Sequence, residues 1–123
     1  MSSSSDTAAA VADCLFCKIV SGEVPATVVH RTATTLAFRD VNPQAPTHVL
    51  VVPQSHFANA AEVAAGEPRT VADLVSTAAA VADAEGLGGD YRLVFNTGAG
   101  AGQTVFHTHL HLLGGRPLSW PPG

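Results

Sequence analysis

Basic residues are few and scattered in this chain: Lys18, Arg31, Arg39, Arg69, Arg92 and Arg116 stand against ten acidic residues. A formal net charge of −4 with no cationic stripe excludes a nucleic-acid polymer or an anionic membrane surface as partner. A small phosphorylated ligand is not excluded, because backbone N–H groups and imidazoles hold phosphate without Lys or Arg. Long apolar runs are missing as well, and none approaches the ~20 residues that span a bilayer. The opening MSSSSDTAAAVA has neither the basic nor the apolar segment of an export signal. A flexible tail over 1–12 and a cytoplasmic location are therefore expected. Cysteine is scarce too, present only as Cys14 and Cys17 in C-x-x-C spacing. Without an export signal a structural disulfide is disfavoured. A metal pair, a redox pair or two small buried hydrophobes remain, and the redox reading lacks a thioredoxin-like βαβ context.

What is present describes one compact domain over 13–123, since 46% of 123 residues are hydrophobic and 13% charged. Asp13 is placed to cap a short helix, CLFCKIV, which Ser21-Gly22 and Pro25 stop. TVVHR and TLAFRD read as strands around a turn, and VNPQAP as a loop. HVLVVP reads as a strand buried on both faces. A helix is predicted from Pro68 to Glu85, with Val71, Leu74, Val75, Ala78, Val81 and Ala82 on one apolar stripe. A helical turn is predicted in FANAAEVA. YRLVFN and TVFHTHLHLL read as strands joined by the glycine-rich NTGAGAGQ, paired as neighbours. The order gives an α+β fold: an antiparallel sheet of about five strands with one long and one short helix, the helices on one side.

GQTVFHTHLHLLGG holds the densest chemistry. On a strand, alternate side chains share a face, so His107, His109 and His111 project together, the outer two roughly 13 Å apart. A helix would bring only His107 and His111 together, but the β-branched lead-in and the flanking glycines favour a strand. Three rings so spaced cannot all bind one ion with bonds of ~2 Å. Each buried imidazole also needs partners for its nitrogens, so three in alternation point to function. His30 and His56, each standing alone, are read as ordinary satisfied core residues. Two chemistries remain for the triplet: an H-x-H metal site completed by carboxylates, or nucleophilic attack by the central imidazole on phosphorus. The adjoining loop Asn96–Thr104 is not a Walker loop, because no Gly-Lys-Ser/Thr follows. Its N–H groups, with the Asn96 and Thr104 side chains, suit phosphate better than a carboxylate-completed metal.

HTHLHLL resembles the His-φ-His-φ-His-φ-φ signature of the histidine-triad (HIT) superfamily, with Thr108 in place of one hydrophobic residue. CLFCKIVSGEVPA, LAFRDVNPQAPTHVLVVP, YRLVFNTGAGAGQTVFH and LGGRPLSWPPG are similar to segments of its Hint branch, over residues 14 to 123. His111 stands where galactose-1-phosphate uridylyltransferases carry Gln, and the Fhit branch lacks the Gly114-Gly115-Arg116…Trp120-Pro121-Pro122-Gly123 ending. The resemblance implies a homodimeric hydrolase that binds a purine nucleotide and cleaves the P–N bond of nucleoside 5′-phosphoramidates, with aminoacyl adenylates as further substrates. It implies a sheet extended across the dimer, with the 114–123 tail and Trp120 at the partner's site. His109 is implied as nucleophile, with His111 as its catalytic companion. Asn96, Gly102, Gln103, Thr104 and Val105 are implied at the phosphate, together with His109 and His111. Asp40 is implied at the ribose, and Phe16, Ile19, Phe38 and Val41 around the base; read without the resemblance, those four are ordinary core. The resemblance also implies a closed structural zinc site, Cys14 and Cys17 with His48 and His107, not required for the chemistry. A dinucleoside polyphosphate hydrolase and a non-catalytic nucleotide-binding module are the alternatives.

Overall fold

The computed structural model describes residues 11–123. All but the last two residues of the expected 1–12 tail lie outside that range. In chain order the elements are α1 (Leu15–Ser21), β1 (Val28–Arg31), β2 (Thr35–Arg39), β3 (Thr47–Pro53), α2 (Ala60–Gly66), α3 (Pro68–Ala84), β4 (Tyr91–Phe95), a 3-10 turn (Ala99–Ala101) and β5 (Leu110–Gly114). The strands form one open antiparallel sheet in the order β1-β2-β3-β5-β4. The α+β architecture and the strand count agree with the sequence reading, with three helices rather than two. The last two strands pair as neighbours, His111 facing Leu50 on β3 and Val94 on β4.

The helices do not share one side. Ala37, Val49, Val51, Leu110 and Leu112 turn to the face where Leu74, Ala78 and Val81 of α3 pack. Leu36, Phe38, Leu50 and Val52 turn to the opposite face, against Phe16 and Ile19 of α1. Period-two alternation on β2 and β3 thus feeds two cores, and every residue of β3 is buried. His111 alternates with Leu110 and Leu112, so it belongs to the α1 face.

Two local expectations shift for identifiable reasons. The cap of α1 is Cys14, whose sulfur accepts the Cys17 N–H at 3.3 Å, not Asp13. The helix ends at Gly22, whose φ of 84° only glycine adopts freely. On α3 the buried stripe is Thr70, Leu74, Thr77, Ala78, Val81 and Ala82, leaving Val75 exposed. Hydrophobic periodicity missed the threonines because their hydroxyls are paired. Thr77 Oγ1 lies 2.8 Å from Thr35 Oγ1, and Thr70 donates to Glu67 at 3.0 Å. A satisfied hydroxyl leaves a β-branched, largely apolar side chain to bury.

Candidate active site and metal cluster

The histidine segment is not one continuous strand. β5 begins only at Leu110, and residues 103–109 run irregularly into it. Side-chain bonds hold that lead-in: Thr108 donates to the Phe57 carbonyl from both its N–H and its hydroxyl, at 2.8 and 2.9 Å. The three rings therefore part. His107 is fully buried and turned inward. His109 and His111 line a cleft of about 330 Å³, their ring centroids 5.0 Å apart.

That cleft gathers most of the expected ligand residues. Phe16, Ile19, Phe38, Asp40 and Val41 line it with Thr104, Val105, His109 and His111. Phe16 meets His109 edge-on at 5.1 Å and Phe38 at 5.5 Å, which makes an apolar slot beside the imidazole. Val41 stands at the rim, 99% exposed.

Hydrogen bonding assigns the protons on these rings. His109 Nδ1 lies 2.8 Å from the His107 carbonyl, which only accepts, so Nδ1 carries the hydrogen. In the neutral ring Nε2 then keeps its lone pair, and no bond occupies it among the described residues. A second chain fixes His111. The Gln44 N–H donates to His48 Nδ1 at 3.0 Å, so neutral His48 is protonated at Nε2. That nitrogen lies 2.9 Å from His111 Nδ1 and 3.4 Å from Asp40 Oδ2. Burial holds His48 below its usual range, and burial with the neighbouring His109 and His48 pushes His111 down to about 4. Both are neutral at pH 7, so His48 donates and His111 carries its own hydrogen on Nε2. This atom is buried without a partner among the described residues. An unpaired buried donor costs roughly 1–3 kcal/mol, which a ligand oxygen in the cleft would relieve.

A second cluster lies behind His109, and its membership differs from the expected metal set. His48 is engaged with His111 and Asp40 and takes no part in it. The fourth member is His56, which the sequence reading placed in the ordinary core. Cys14, Cys17, His56 and His107 present one donor each, all within 4.8 Å of one another. The reason is register. β3 runs antiparallel to β5, so His48 at its start falls beside the end of the triplet, and His56, just beyond its end, falls beside His107. Working that pairing through is the signal that would have found His56.

The donor set fits a tetrahedral ion. Bonds of ~2.0–2.3 Å to nitrogen and sulfur place neighbouring donors roughly 3.3–3.8 Å apart. His107 Nδ1 lies 3.4 Å from Cys14 Sγ, 3.5 Å from Cys17 Sγ and 3.2 Å from His56 Nδ1, and Cys17 Sγ lies 3.4 Å from His56 Nδ1. His107 Nε2 is 2.9 Å from the Pro53 carbonyl and so carries the proton, which leaves Nδ1 free to ligate. Val11 N–H and Cys17 N–H donate to Cys17 and Cys14 sulfur at 3.4 and 3.3 Å, as a thiolate pair needs. Without an ion, burial pushes the Cys17 thiol up, and pushes His107 down to about 4 and His56 below its usual range. The burial that disfavours thiolates also keeps both imidazoles in the neutral form that ligates.

The glycine loop requires another correction. Gln103, implied at the phosphate, is spent on structure. Its Nε2 donates to the Ala58 and Val105 carbonyls at 2.6 and 3.0 Å, and its Oε1 accepts the Gly98 N–H at 2.8 Å. Its own N–H bonds the Gly98 carbonyl at 3.1 Å, so no donor is left for a ligand. Gly102 likewise gives its N–H to Ala99. Asn96 sits beside Gly102, its amide nitrogen 3.8 Å from where a Cβ there would be, and neither residue lines the cleft. The 114–123 tail lies on its own chain. Arg92 donates to the Ser119 carbonyl at 2.8 Å and Arg116 to the Gln44 carbonyl at 2.9 Å, while Trp120 remains 81% exposed.

Comparison with known proteins agrees with this geometry. The HIT domain family matches residues 21–118. A purine nucleoside phosphoramidase of Escherichia coli is 42% identical over 105 residues, 85% of this chain and 88% of that protein. A 14 kDa zinc-binding protein of Zea mays is 44% identical over 111 residues, 89% of this chain and 87% of that protein. The crystal structure of a HIT family hydrolase from Legionella pneumophila superposes with a TM-score of 0.86 at 53% identity, covering 90% of this chain and all of that one. The matched span, the fold and the paired imidazoles lead to one conclusion: this chain belongs to the HIT domain family.

Proposed function

We propose that the chain is a hydrolase of purine nucleoside 5′-phosphoramidates, working through a nucleotidyl-histidine on His109. The observation that carries this reading is the pair of assigned tautomers. His109 is left with a bare Nε2 at the cleft, and His111 with an unpartnered Nε2–H beside it. Nε2 of His109 attacks the α-phosphorus, and the departing nitrogen takes the P–N bonding pair and a proton from water. Water then attacks the nucleotidyl-imidazole and releases nucleoside monophosphate and the restored ring. Imidazole suits both steps because it is a good nucleophile and a good leaving group. His111 Nε2–H stabilises the charge gathering on a phosphoryl oxygen. Thr104 and Val105 flank the phosphate, with Asn96 on the loop behind them. Asp40 meets the ribose hydroxyls, and Phe16, Ile19, Phe38 and Val41 meet the base. The phosphoramidase among the relatives supports the substrate class.

Cys14, Cys17, His56 and His107 would hold zinc. Four protein donors leave no open position for water, so the ion ties elements together and stays out of the reaction. The chain is also proposed to act as a homodimer. β4 is an edge strand, and the groove of about 670 Å³ between it and the tail, with exposed Trp120, offers the surface. A stable monomer in sedimentation at micromolar concentration would refute that part.

The test of function is turnover of an adenosine phosphoramidate beside a dinucleoside polyphosphate, with wild-type protein and His109→Asn. The phosphoramidate should be the faster substrate, and His109→Asn should lose about 10⁴-fold in kcat. Near-normal turnover by the variant removes the nucleophile. Faster cleavage of the polyphosphate removes the substrate class.

A further inference from the structure

We propose that Cys14, Cys17 and His56 are positioning residues for His109: sharing an ion with His107, they fix the backbone carbonyl and the neighbouring ring that hold the nucleophile in its attacking tautomer. The inference rests on reading His109 as the nucleophile, and it gives the cluster a part in the rate as well as in the fold.

Two short routes join the cluster to His109. The first passes through one residue. The ring of His107 supplies a donor to the cluster, and its own carbonyl accepts the His109 Nδ1–H at 2.8 Å. That carbonyl lies in the irregular run 103–109, where no sheet ladder sets the peptide planes. Side-chain anchors do so instead. Thr108 is tied to Phe57, and His107 is tied to Pro53 by one ring nitrogen and to the cluster by the other. Releasing the cluster leaves His107 with a single anchor, so its peptide and the bond to His109 are free to turn.

The second route passes through α1. Cys14 and Cys17 bracket Phe16, whose ring meets His109 edge-on at 5.1 Å and an interplanar angle of 88°. The same ring touches His107, centroids 6.1 Å apart, and lines the cleft. Fixing both sulfurs therefore fixes the wall against which the nucleophile's ring rests. Without an ion, Cys14 Sγ, Cys17 Sγ and His56 Nδ1, at 3.2–3.5 Å, compete for the single lone pair of His107 Nδ1, so only one of them makes a full hydrogen bond to it. A shared cation binds all four donors at once.

The test uses full-length protein stripped of metal under reducing conditions. Cobalt(II) is titrated in, and its visible ligand-field bands report filling of a two-sulfur, two-nitrogen site. Zinc is titrated in parallel into ¹⁵N-histidine-labelled protein, following the tautomer and exchange protection of the His109 Nδ1–H, together with kcat and KM. Filled protein should show one protected Nδ1–H tautomer. Emptied protein should show exchange or a mixture, with kcat lower by about 10- to 100-fold and KM changed less than threefold. The same His109 tautomer and kcat in both forms would overturn the proposal, as would a rise in KM alone. If the emptied chain unfolds, His56→Asn, which keeps three donors, is read across the same zinc titration. A folded H56N protein whose His109 ignores zinc overturns it equally. A tautomer that follows zinc in a protein that turns over no phosphoramidate upholds the positioning and rejects only the substrate reading.

Discussion

Gln103 offers the sharpest test of how the cleft is built, because its buried amide makes three bonds to backbone groups of three segments. Two N–H groups serve the Ala58 and Val105 carbonyls and one oxygen receives the Gly98 N–H, from a side chain 3% exposed. A net 0.5–1.5 kcal/mol for each bond gives a loss of about 1.5–4.5 kcal/mol on Gln103→Ala, toward the upper end where partners are left dry. Gln103→Glu sharpens the argument. It keeps the acceptor toward Gly98 but turns the amide nitrogen into an oxygen facing two carbonyls. At pH 7 it should be less stable than Gln103→Ala. Its carboxyl should titrate above the ordinary value of about 4.3. A raised folded pKa means stability that is present at low pH and lost as pH rises. The deficit of Gln103→Glu relative to Gln103→Ala should therefore narrow between pH 7 and 5, since the protonated acid can donate to one carbonyl. Urea unfolding midpoints of the three proteins at both pH values measure this. A Gln103→Glu protein as stable as Gln103→Ala at pH 7, or a Gln103→Ala protein within about 0.5 kcal/mol of wild type, refutes the bracing role.

Acid should destabilise the metal-free chain through His107 and His111, both depressed to about 4. The unfolded rings take up protons near pH 6.5 and the folded ones do not. Stability therefore falls from about pH 6.5 to about 4, by on the order of 3 kcal/mol for fully buried His107 and less for His111; a flat stability profile over that window would contradict the burial argument. His48→Ala should remove the donor that fixes the His111 tautomer and lower kcat about 100-fold, whereas a turnover within threefold of wild type would detach His48 from the site. Glu85→Gln breaks a bidentate pair with Arg39 at 2.9 and 3.0 Å, but Arg39 is 41% exposed. Thermal unfolding should register a loss under about 1 kcal/mol that shrinks in high salt.

Several elements were legible because a single local rule governed each. Pro68 and the run before Gly86 marked α3, the apolar continuity of HVLVVP marked a strand sandwiched between two cores, and Gly22 marked the end of α1. The cleft residues Phe16, Ile19 and Phe38 were legible only through family resemblance, since their pattern alone is that of ordinary core, and Asp40 was assigned to the cleft by the same resemblance. His56 escaped both routes. It stands singly in a loop, and its partners are 39 and 51 residues away in the chain. Gln103 escaped because a glutamine in a glycine-rich loop carries no local sign of whether its amide meets a ligand or the chain's own carbonyls.

From its order of residues alone, this chain settled which groups could act: an imidazole triplet, a thiol pair and too little positive charge for a polymer partner. Side-chain chemistry and spacing are properties of the string. Tertiary structure decided the division of labour. The antiparallel docking of β3 on β5 sends His48 to His111 and His56 to the thiols, and hydrogen bonds from backbone groups and from His48 place the protons on the rings. Those choices depend on which atoms meet across the sheet, and no local pattern encodes that meeting.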